Sequence, residues 1–222
     1  MRHIVEPRVE QYIRQTEASS SDVLREMEAV ARRTGFPIVG PQVGHLIQAV
    51  VAAGRPRRIL ELGSGFGYSA IWAASVLPAE ATILCTDLAP ENEQLAREFY
   101  GRAGHTARLD YEIGDALDIA RRLVGTEPES FDFIFNDVDK EWYGASFDLA
   151  VELLSPGGVL MTDNTLWYGY VAEPSRKDEA TEAVRAYNRK ACEHPNLVTS
   201  IVPIRDGVTV STKIPDKEHQ HG

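Results

Sequence analysis

The strongest constraint on this chain is an alternation between short apolar runs and helical segments that begins near residue 57. Four of the runs are followed by segments long enough to form a crossover helix. Strands joined in this way pair in parallel, and a parallel sheet is covered by helices on both faces. The pattern predicts an α/β fold with a doubly wound, mostly parallel sheet. The five runs read RRILEL, TILCTD, LDYEI, FDFIFND and GGVLMTD.

The last part of the chain departs from this alternation. A helical segment, EATEAVRAYNRKACE, precedes two β-rich runs that flank Asp206 and Gly207. Asp-Gly between such runs is typical of a β-hairpin. We therefore expect the sheet to have seven strands and to end in an antiparallel pair.

Residues before position 55 show helical periodicity only. We expect one helix from Pro7 to Ala18, a second after the serine cap at 19–21 that ends at Gly35, and a third from Pro41. These helices pack on the core or form a dimer contact. We expect a single domain with three parts: an N-terminal helical segment at residues 1–54, a core at 55–215 and a polar tail at 216–222.

Composition and charge narrow the function classes. The 33 acidic and 23 basic side chains give a net charge of −10, which disfavours nucleic acid and anionic membranes as partners. Cys85 and Cys192 are far apart and match no zinc or disulfide spacing. Without a secretory leader or a long apolar stretch, we expect a soluble, cytoplasmic protein.

A glycine-rich turn follows the first strand in the sequence ELGSGFGYSA, with glycines at 63, 65 and 67. A backbone that must approach a ligand closely needs glycine at such a turn. A nicotinamide fingerprint requires a further glycine where this chain has Tyr68. Glu61, two residues before the turn, suits a ligand with an ammonium and a sulfonium better than a pyrophosphate. The turn therefore points to S-adenosylmethionine (SAM).

The next two strands end in further polar residues. Asp87 ends the second strand, where a carboxylate can accept hydrogen bonds from both ribose hydroxyls. Residues 114–116 follow the third strand and can border an adenine, although Asp115 also suits a helix N-cap. Together with the glycine turn, these positions predict an adenosyl cofactor.

A second group of polar residues follows the fourth and fifth strands. Asp137 ends the fourth, and Asp163 with Asn164 ends the fifth. Because the carboxyl ends of neighbouring parallel strands share one edge of the sheet, the three side chains should converge. Their oxygens suit Mg²⁺, with Mn²⁺ or Ca²⁺ as alternatives, whereas zinc would need histidine or cysteine. Each residue also has a structural interpretation as a helix cap or turn residue.

The same loops carry other groups able to take part in chemistry. Lys140 is either a general base with a pKa lowered by a neighbouring dication or a solvated surface lysine. Asp139 either binds the cofactor's amino group or faces solvent. Several aromatic residues can line a flat substrate or belong to the core: Trp142, Tyr143, Trp167, Tyr168 and Tyr170.

These motifs together resemble the cation-dependent class I O-methyltransferases, which include catechol and caffeoyl-coenzyme A O-methyltransferases. The resemblance covers about residues 36–214 through FPIVGPQVG, ELGSGFGYSA, FNDVDKEWY, LLSPGGVLMTDNTLWYG and RDGVTVSTK. It implies Asp137, Asp163 and Asn164 as metal ligands and Lys140 as the catalytic base. The chain departs from the family pattern at Asn136, where an apolar residue is usual.

The resemblance also implies a set of cofactor contacts and a homodimer. The cofactor-binding positions are Val43, Glu61, Gly63, Ser64, Ser69, Asp87, Ala116, Asp137 and Asp139. The resemblance does not imply a particular methyl acceptor for this chain, because the residues that shape the acceptor pocket vary within the family.

The predicted function is metal-dependent methyl transfer from SAM to a hydroxyl of a catechol-like small molecule, a vicinal diol of phenylpropanoid type. An alternative acceptor is 5-hydroxyuridine in transfer RNA, held by a basic patch. A non-catalytic adenosyl-binding module and a nicotinamide oxidoreductase are further alternatives, and Tyr68 disfavours the latter. The patch would draw on Arg55, Arg57, Arg58, Arg102 and Arg108.

Overall fold

A single seven-stranded sheet forms the centre of the molecule in a computed structural model that describes residues 4–17 and 20–214. The strands lie in the order β3-β2-β1-β4-β5-β7-β6. Strands β1 to β5 pair in parallel, and β7 runs antiparallel to both β5 and β6. The predicted doubly wound sheet with a closing antiparallel pair is confirmed. The strands are β1 Arg58–Leu62, β2 Thr82–Asp87, β3 Arg108–Ile113, β4 Phe131–Asn136, β5 Leu154–Thr162, β6 Leu197–Val202 and β7 Val208–Lys213.

Helices cover both faces of this sheet. One buried apolar cluster packs α2 to α5 against it, and a second packs α6 to α8 against the opposite face. Because both faces are covered, the central strands are nearly continuous apolar runs. Within the described residues the α-helices are α1 Pro7–Thr16, α2 Asp22–Thr34, α3 Gly40–Gly54, α4 Tyr68–Ala74, α5 Pro90–Ala103, α6 Ala116–Thr126, α7 Tyr143–Leu153 and α8 Glu179–Glu193, and short 3₁₀ helices span Lys140–Trp142 and Trp167–Ala172.

Local capping explains where several helices begin. The Ser21 side chain accepts a hydrogen bond from the backbone of Leu24, and Gly35 ends α2 in the left-handed conformation. The Asp115 carboxylate accepts the backbone N–H groups of Leu117 and Asp118 at 2.9 and 3.0 Å. Asp115 is therefore the N-cap of α6, one of the two roles that the sequence allowed.

Some boundaries differ from those predicted. Helix α4 ends three residues before the predicted Leu77, because the Ser75 hydroxyl donates to the Trp72 carbonyl at 2.6 Å and the chain turns. The β6–β7 turn spans residues 203–207 rather than Asp-Gly alone. The predicted end of α1 at residue 18, residue 19 of the serine cap and the 216–222 tail lie outside the described residues. None of the described helices is long and apolar enough to cross a membrane.

Candidate active site

The glycine turn after β1 lies where the sheet order reverses between β2 and β4. Gly63 and Gly65 have φ angles of +82° and +51°. A Cβ atom at Gly63 would lie 2.6 Å from the Asp137 carbonyl oxygen, and one at Gly65 would lie 2.8 Å from the Phe36 ring. Both positions therefore require glycine for conformation and for space. The turn is tied to β2 by the Ser64 N–H, which donates to the Thr86 carbonyl at 2.8 Å.

A cavity of about 300 Å³ opens above this turn. It lies between the carboxyl ends of the strands and residues 36–39, the segment that precedes α3. Val43 and Glu61 are buried and do not belong to its surface. The predicted cofactor residues that line the cavity are Gly63, Ser64, Ser69, Asp87, Ala116, Asp137 and Asp139.

Asp87 is held at the end of β2 by three hydrogen bonds. Its carboxylate accepts from the backbone N–H of Gly65 at 3.0 Å and of Ala89 at 2.8 Å. The side-chain amide of Asn92 donates to it at 2.9 Å. These contacts fix a carboxylate at the cavity wall, the position at which the sequence predicted a ribose partner.

Glu61 is a buried carboxylate behind the cavity, with 2% of its surface exposed. Burial raises its pKa to about 7, and hydrogen bonds from the Ser69, Ser64 and Cys85 side chains oppose that rise. A nearby cation would stabilise the ionised form of this buried carboxylate. Glu61 therefore supplies an electrostatic preference for a positively charged ligand in the adjoining cavity.

Two acidic side chains lie at the ends of the adjacent strands β4 and β5. Asn136 and Thr162 are paired in register, so the following residues, Asp137 and Asp163, are neighbours. Asp163 is 4% exposed, and its Oδ1 atom has no hydrogen-bond partner in the described part of the protein. Burial and the charge of Asp137 raise the pKa of Asp163 to about 7. Burial also raises the pKa of Asp137 against the effect of Lys140. The pair therefore combines a buried carboxylate, Asp163, with a half-buried one, Asp137, whose charge Lys140 partly compensates.

The residues present fit the divalent cation that the family resemblance implies. Two carboxylates and the Asn164 amide are hard oxygen donors, and the buried Asp163 Oδ1 atom lacks a partner that a cation would supply. Across residues 4–17 and 20–214, no group of three His, Cys, Asp or Glu side chains is placed to hold a metal. The roles of Asp137, Asp163 and Asn164 as metal ligands therefore stay a prediction.

Lys140 belongs to this site and is not a solvated surface residue. Its Nζ atom lies 3.4 Å from Asp137 Oδ1 and 3.4 Å from the Val138 carbonyl oxygen. The side chain is 12% exposed, and Nζ lies 5.0 Å from the Tyr143 ring centroid and 5.7 Å from that of Trp167. A short 3₁₀ helix, Lys140–Trp142, turns the lysine inward.

The 164–176 loop follows the Asp163 carboxylate and carries most of the predicted aromatic residues. Asn164, Trp167 and Tyr168 have positive φ angles of 54°, 44° and 53°. Asparagine tolerates this conformation better than most residues, but for the bulky Trp167 and Tyr168 it costs about 1–3 kcal/mol each. Contacts from elsewhere in the chain must therefore hold the loop in this conformation.

Tyr143, another of the predicted aromatic residues, belongs to the core. Its hydroxyl donates to the Asp163 carbonyl at 2.6 Å.

Asn136, where the chain departs from the family pattern, is fully buried. Its amide nitrogen donates to the Ser146 hydroxyl at 3.0 Å. The Tyr187 hydroxyl donates to the Thr162 hydroxyl at 2.6 Å on the adjoining strand. Ser146 of α7 thus satisfies the Asn136 amide nitrogen, whereas the Asn136 Oδ1 atom is buried with no hydrogen-bond partner among the described residues.

Sequence reasoning missed two residues that shape this region. Arg185 on α8 donates to carbonyl groups of the 164–176 loop, and Asp206 accepts the Tyr168 N–H. The sequence indicated Asp206 only as part of a hairpin turn. Arg185 gives no sequence signal, because its partners are backbone carbonyls, which every residue has.

Comparison with known sequences gives the family of the chain. A family model described as O-methyltransferase matches residues 14–214. A catechol O-methyltransferase of Niastella koreensis is 31% identical over 182 residues, which cover 81% of this chain and 82% of the relative. Caffeoyl-CoA O-methyltransferase 1 of Arabidopsis thaliana is 28% identical over 217 residues, 92% of this chain and 83% of that protein.

Solved structures agree with this family relationship. An O-methyltransferase from Bacillus cereus in complex with SAH superposes with a TM-score of 0.82 at 27% identity, covering 93% of this chain and 97% of its own. TomG from Streptomyces achromogenes, an O-methyltransferase involved in tomaymycin synthesis, was solved with SAM. It gives a TM-score of 0.81 at 25% identity over 94% of this chain and 96% of its own. The chain belongs to the O-methyltransferase family and is a SAM-dependent O-methyltransferase.

Proposed function

We propose that the enzyme transfers the methyl group of SAM to a hydroxyl of a catechol-like small molecule, with a divalent cation at the acidic pair. The observation that carries the proposal is the buried Asp163 carboxylate beside the half-buried Asp137 carboxylate at neighbouring strand ends, with Lys140 Nζ 3.4 Å from Asp137. The names of the catechol and caffeoyl-CoA O-methyltransferases that resemble this chain support a vicinal diol as the acceptor.

The cofactor half of the site binds and orients the methyl donor. Gly63 and Gly65 would let the backbone approach the ligand, and the Asp87 carboxylate would accept hydrogen bonds from the ribose hydroxyls. Glu61, buried behind the turn, favours the sulfonium cation electrostatically. These groups fix the direction in which the methyl leaves the sulfur, and alignment of this kind contributes up to about 7–11 kcal/mol to catalysis.

The acceptor half activates the attacking oxygen. Asp137, Asp163 and Asn164 would hold the cation, which when bound lowers the acceptor hydroxyl's pKa from about 10 and orients both oxygens of the diol. Lys140 accepts the hydroxyl proton in its neutral form. The oxygen then forms a bond to the methyl carbon as the carbon–sulfur bond breaks, and the electron pair of that bond stays on sulfur.

The test is methyl transfer from labelled SAM to catechol, caffeate and caffeoyl-coenzyme A, with Mg²⁺ and with a chelator. The expected result is transfer to a diol that the chelator abolishes and added Mg²⁺ restores. A matched phenol with one hydroxyl should be methylated far more slowly, because it offers only one oxygen to the cation. Equal transfer in the presence of chelator would contradict the role of the cation.

Transfer RNA is a weaker candidate for the acceptor. Three arginines of the proposed basic patch are paired with carboxylates: Arg58 with Glu127, Arg102 with Glu26, and Arg108 with Asp110. Paired guanidinium groups contribute less to phosphate binding. The names of the similar proteins reported above give RNA no support.

A homodimer remains part of the proposal. Helix α1 buries none of its residues, and it leaves Val9 and Tyr12 48% and 66% exposed. An exposed apolar face on an amphipathic helix is suited to self-association. Sedimentation velocity should give a dimer for the natural chain and a monomer for Tyr12→Glu, and a monomeric natural chain would contradict the proposal.

A further inference from the structure

We propose that Arg185 is a positioning residue that holds the 164–176 loop in the shape that the acceptor meets. The inference rests on the proposed function, because it assigns the loop to the acceptor half of the site. Arg185 lies in the second turn of α8, and its side chain is 13% exposed. It binds more backbone groups than any other arginine within residues 4–17 and 20–214.

Each N–H group of the Arg185 guanidinium has an acceptor. A guanidinium carries five N–H donors in a fixed planar arrangement. Four of the acceptors are backbone carbonyls of the loop, and the fifth is the Glu182 carboxylate, which keeps the charge paired. The acceptors are Val171 O at 3.0 Å from Nε, Arg176 O at 2.7 Å and Glu182 Oε1 at 2.6 Å from Nη1, and Tyr170 O at 2.9 Å and Glu173 O from Nη2.

The loop needs these contacts because it has no strand partner and contains strained backbone. Its first half is fixed by the β6–β7 turn: Asp206 accepts the Tyr168 N–H, and a Cβ at Gly207 would lie 2.7 Å from the Leu166 nitrogen. Residues 170–176 receive their anchor from Arg185 on the other side. Strain at Trp167 and Tyr168 persists only when the surroundings on both sides impose it.

The position of the loop links Arg185 to methyl transfer. The loop begins at Asn164, directly after Asp163, and the Trp167 ring lies 5.7 Å from Lys140 Nζ. Tyr168, 39% exposed, lies beside it with ring centroids 5.1 Å apart. No residue of the loop lines the cofactor cavity. Releasing the loop should therefore impair use of the acceptor and leave cofactor binding unchanged.

Arg185→Lys is the variant that tests this role. Lysine keeps the charge but presents three donors from one nitrogen, so it cannot bind four separate carbonyls. We expect kcat/KM for the diol to fall about 10–100-fold, the size of effect of misplacement by about 1 Å. The Kd for SAM should change less than about twofold. Arg189→Lys, at an exposed position on the same helix, is the matched control and should leave both unchanged.

Hydrogen–deuterium exchange provides a readout that does not depend on activity. The amides of residues 167–176 should exchange faster in Arg185→Lys than in Arg189→Lys, whereas those of β1 and β4 should not change. Unchanged exchange and unchanged kcat/KM would refute the role. A uniform rise in exchange with an equal loss of SAM affinity would also refute it, because Arg185 would then be a general structural residue.

A second variant covers the case in which Arg185→Lys does not fold. Arg185→Ala should recover transfer with millimolar guanidinium but not with ammonium at the same concentration, and recovery by both or by neither would count against the role. If the natural enzyme methylates no diol, the proposed function fails. The exchange comparison still decides whether Arg185 holds the loop.

Discussion

The cofactor half and the acceptor half of the cleft are built in different ways. In the first, the ligand-facing groups lie within a few residues of strand ends, and backbone geometry fixes them, as at Gly63 and Asp87. In the second, a loop with left-handed aromatic residues is held by side chains distant in sequence, Arg185 and Asp206. The backbone path therefore fixes the cofactor half, whereas side-chain contacts from distant parts of the sequence fix the loop of the acceptor half.

This difference has a consequence for substitution. At the glycine turn an added methyl group meets the Asp137 backbone at Gly63 and the Phe36 ring at Gly65, so the site tolerates little change. In the 164–176 loop Arg185 and Asp206 bind backbone groups, so these contacts do not depend on the identity of the loop's exposed side chains. The fold can thus keep its cofactor while its acceptor changes, as expected where function resides in loops on a rigid scaffold.

The largest effect is expected from Asp163→Ala. Removal of the buried carboxylate takes away one of the proposed cation ligands, and methyl transfer should fall about 10²–10³-fold or more, as when a preorganised electrostatic group is lost. The Kd for SAM should change little, because Asp163 does not line the cofactor cavity. Asp148→Ala, which removes a half-exposed carboxylate paired with Lys190, is the control. A fully active Asp163→Ala enzyme would exclude the metal role.

Gly63→Ala should show the opposite pattern and damage the cofactor half. The φ angle of +82° alone costs about 1–3 kcal/mol with alanine, and the new methyl would meet the Asp137 carbonyl at 2.6 Å. At about 2–4 °C per kcal/mol for a chain of this size, calorimetry should show a Tm several degrees lower. SAM binding should weaken at least about tenfold by isothermal titration calorimetry.

The control for that variant is a glycine in open space. Gly101 lies inside α5, and no heavy atom comes within 4 Å of a Cβ built there. Gly101→Ala should stabilise the protein by about 0.5–1 kcal/mol, because alanine loses less backbone entropy in a helix. If both substitutions had the same effect, the steric account of the turn would be wrong.

The same contrast explains how much of the molecule could be predicted from sequence. The seven strands, the closing antiparallel pair and the positions of Asp87, Asp137 and Asp163 follow from periodicity and from the rule that parallel strands end at one edge. The sequence left Lys140 either in the site or on the surface, because spacing along the chain does not show which way a side chain points after a strand end. The end of α4 was misplaced because one hydroxyl, that of Ser75, competes with the helix backbone.

Long-range contacts to backbone were beyond sequence reasoning. Arg185 lies in a helix that was predicted with its observed bounds, yet nothing local shows that its partners are carbonyls 9 to 15 residues earlier. The conformation of Trp167 and Tyr168 opposes their intrinsic preference and exists only because tertiary contacts impose it. Such sites are where local rules fail.

Glu61 in the cofactor half should make the stability of the protein depend on pH. Because its folded pKa is raised to about 7, the folded chain keeps a proton that the unfolded chain loses above about pH 4.5. The free energy of unfolding should therefore fall as pH rises from about 4.5 to 7. Asp163, with its pKa also raised to about 7, contributes a fall of the same sign. Thermal unfolding of Glu61→Gln should show a shallower slope, with the part due to Asp163 retained.

Binding of SAM provides a second readout of the same group. A cationic ligand favours ionised Glu61, so its affinity should rise with pH over that range, with proton release. Calorimetry in two buffers of different ionisation enthalpy measures the protons released. Release that persists unchanged in Glu61→Gln would assign the proton to another group.

The smallest effect is expected at Asp206, and it tests whether the two halves are independent. Asp206 accepts the Tyr168 N–H, and a single hydrogen bond of this kind contributes about 0.5–1.5 kcal/mol. Asp206→Ala should therefore lower kcat/KM for the diol by about two- to tenfold, whereas Asp206→Asn keeps an acceptor oxygen and should stay closer to the natural enzyme. Both variants should bind SAM normally. If Asp206→Ala weakens SAM binding as much as it slows transfer, the loop and the glycine turn form one coupled unit, and the contrast between a fixed cofactor half and a variable acceptor half does not hold.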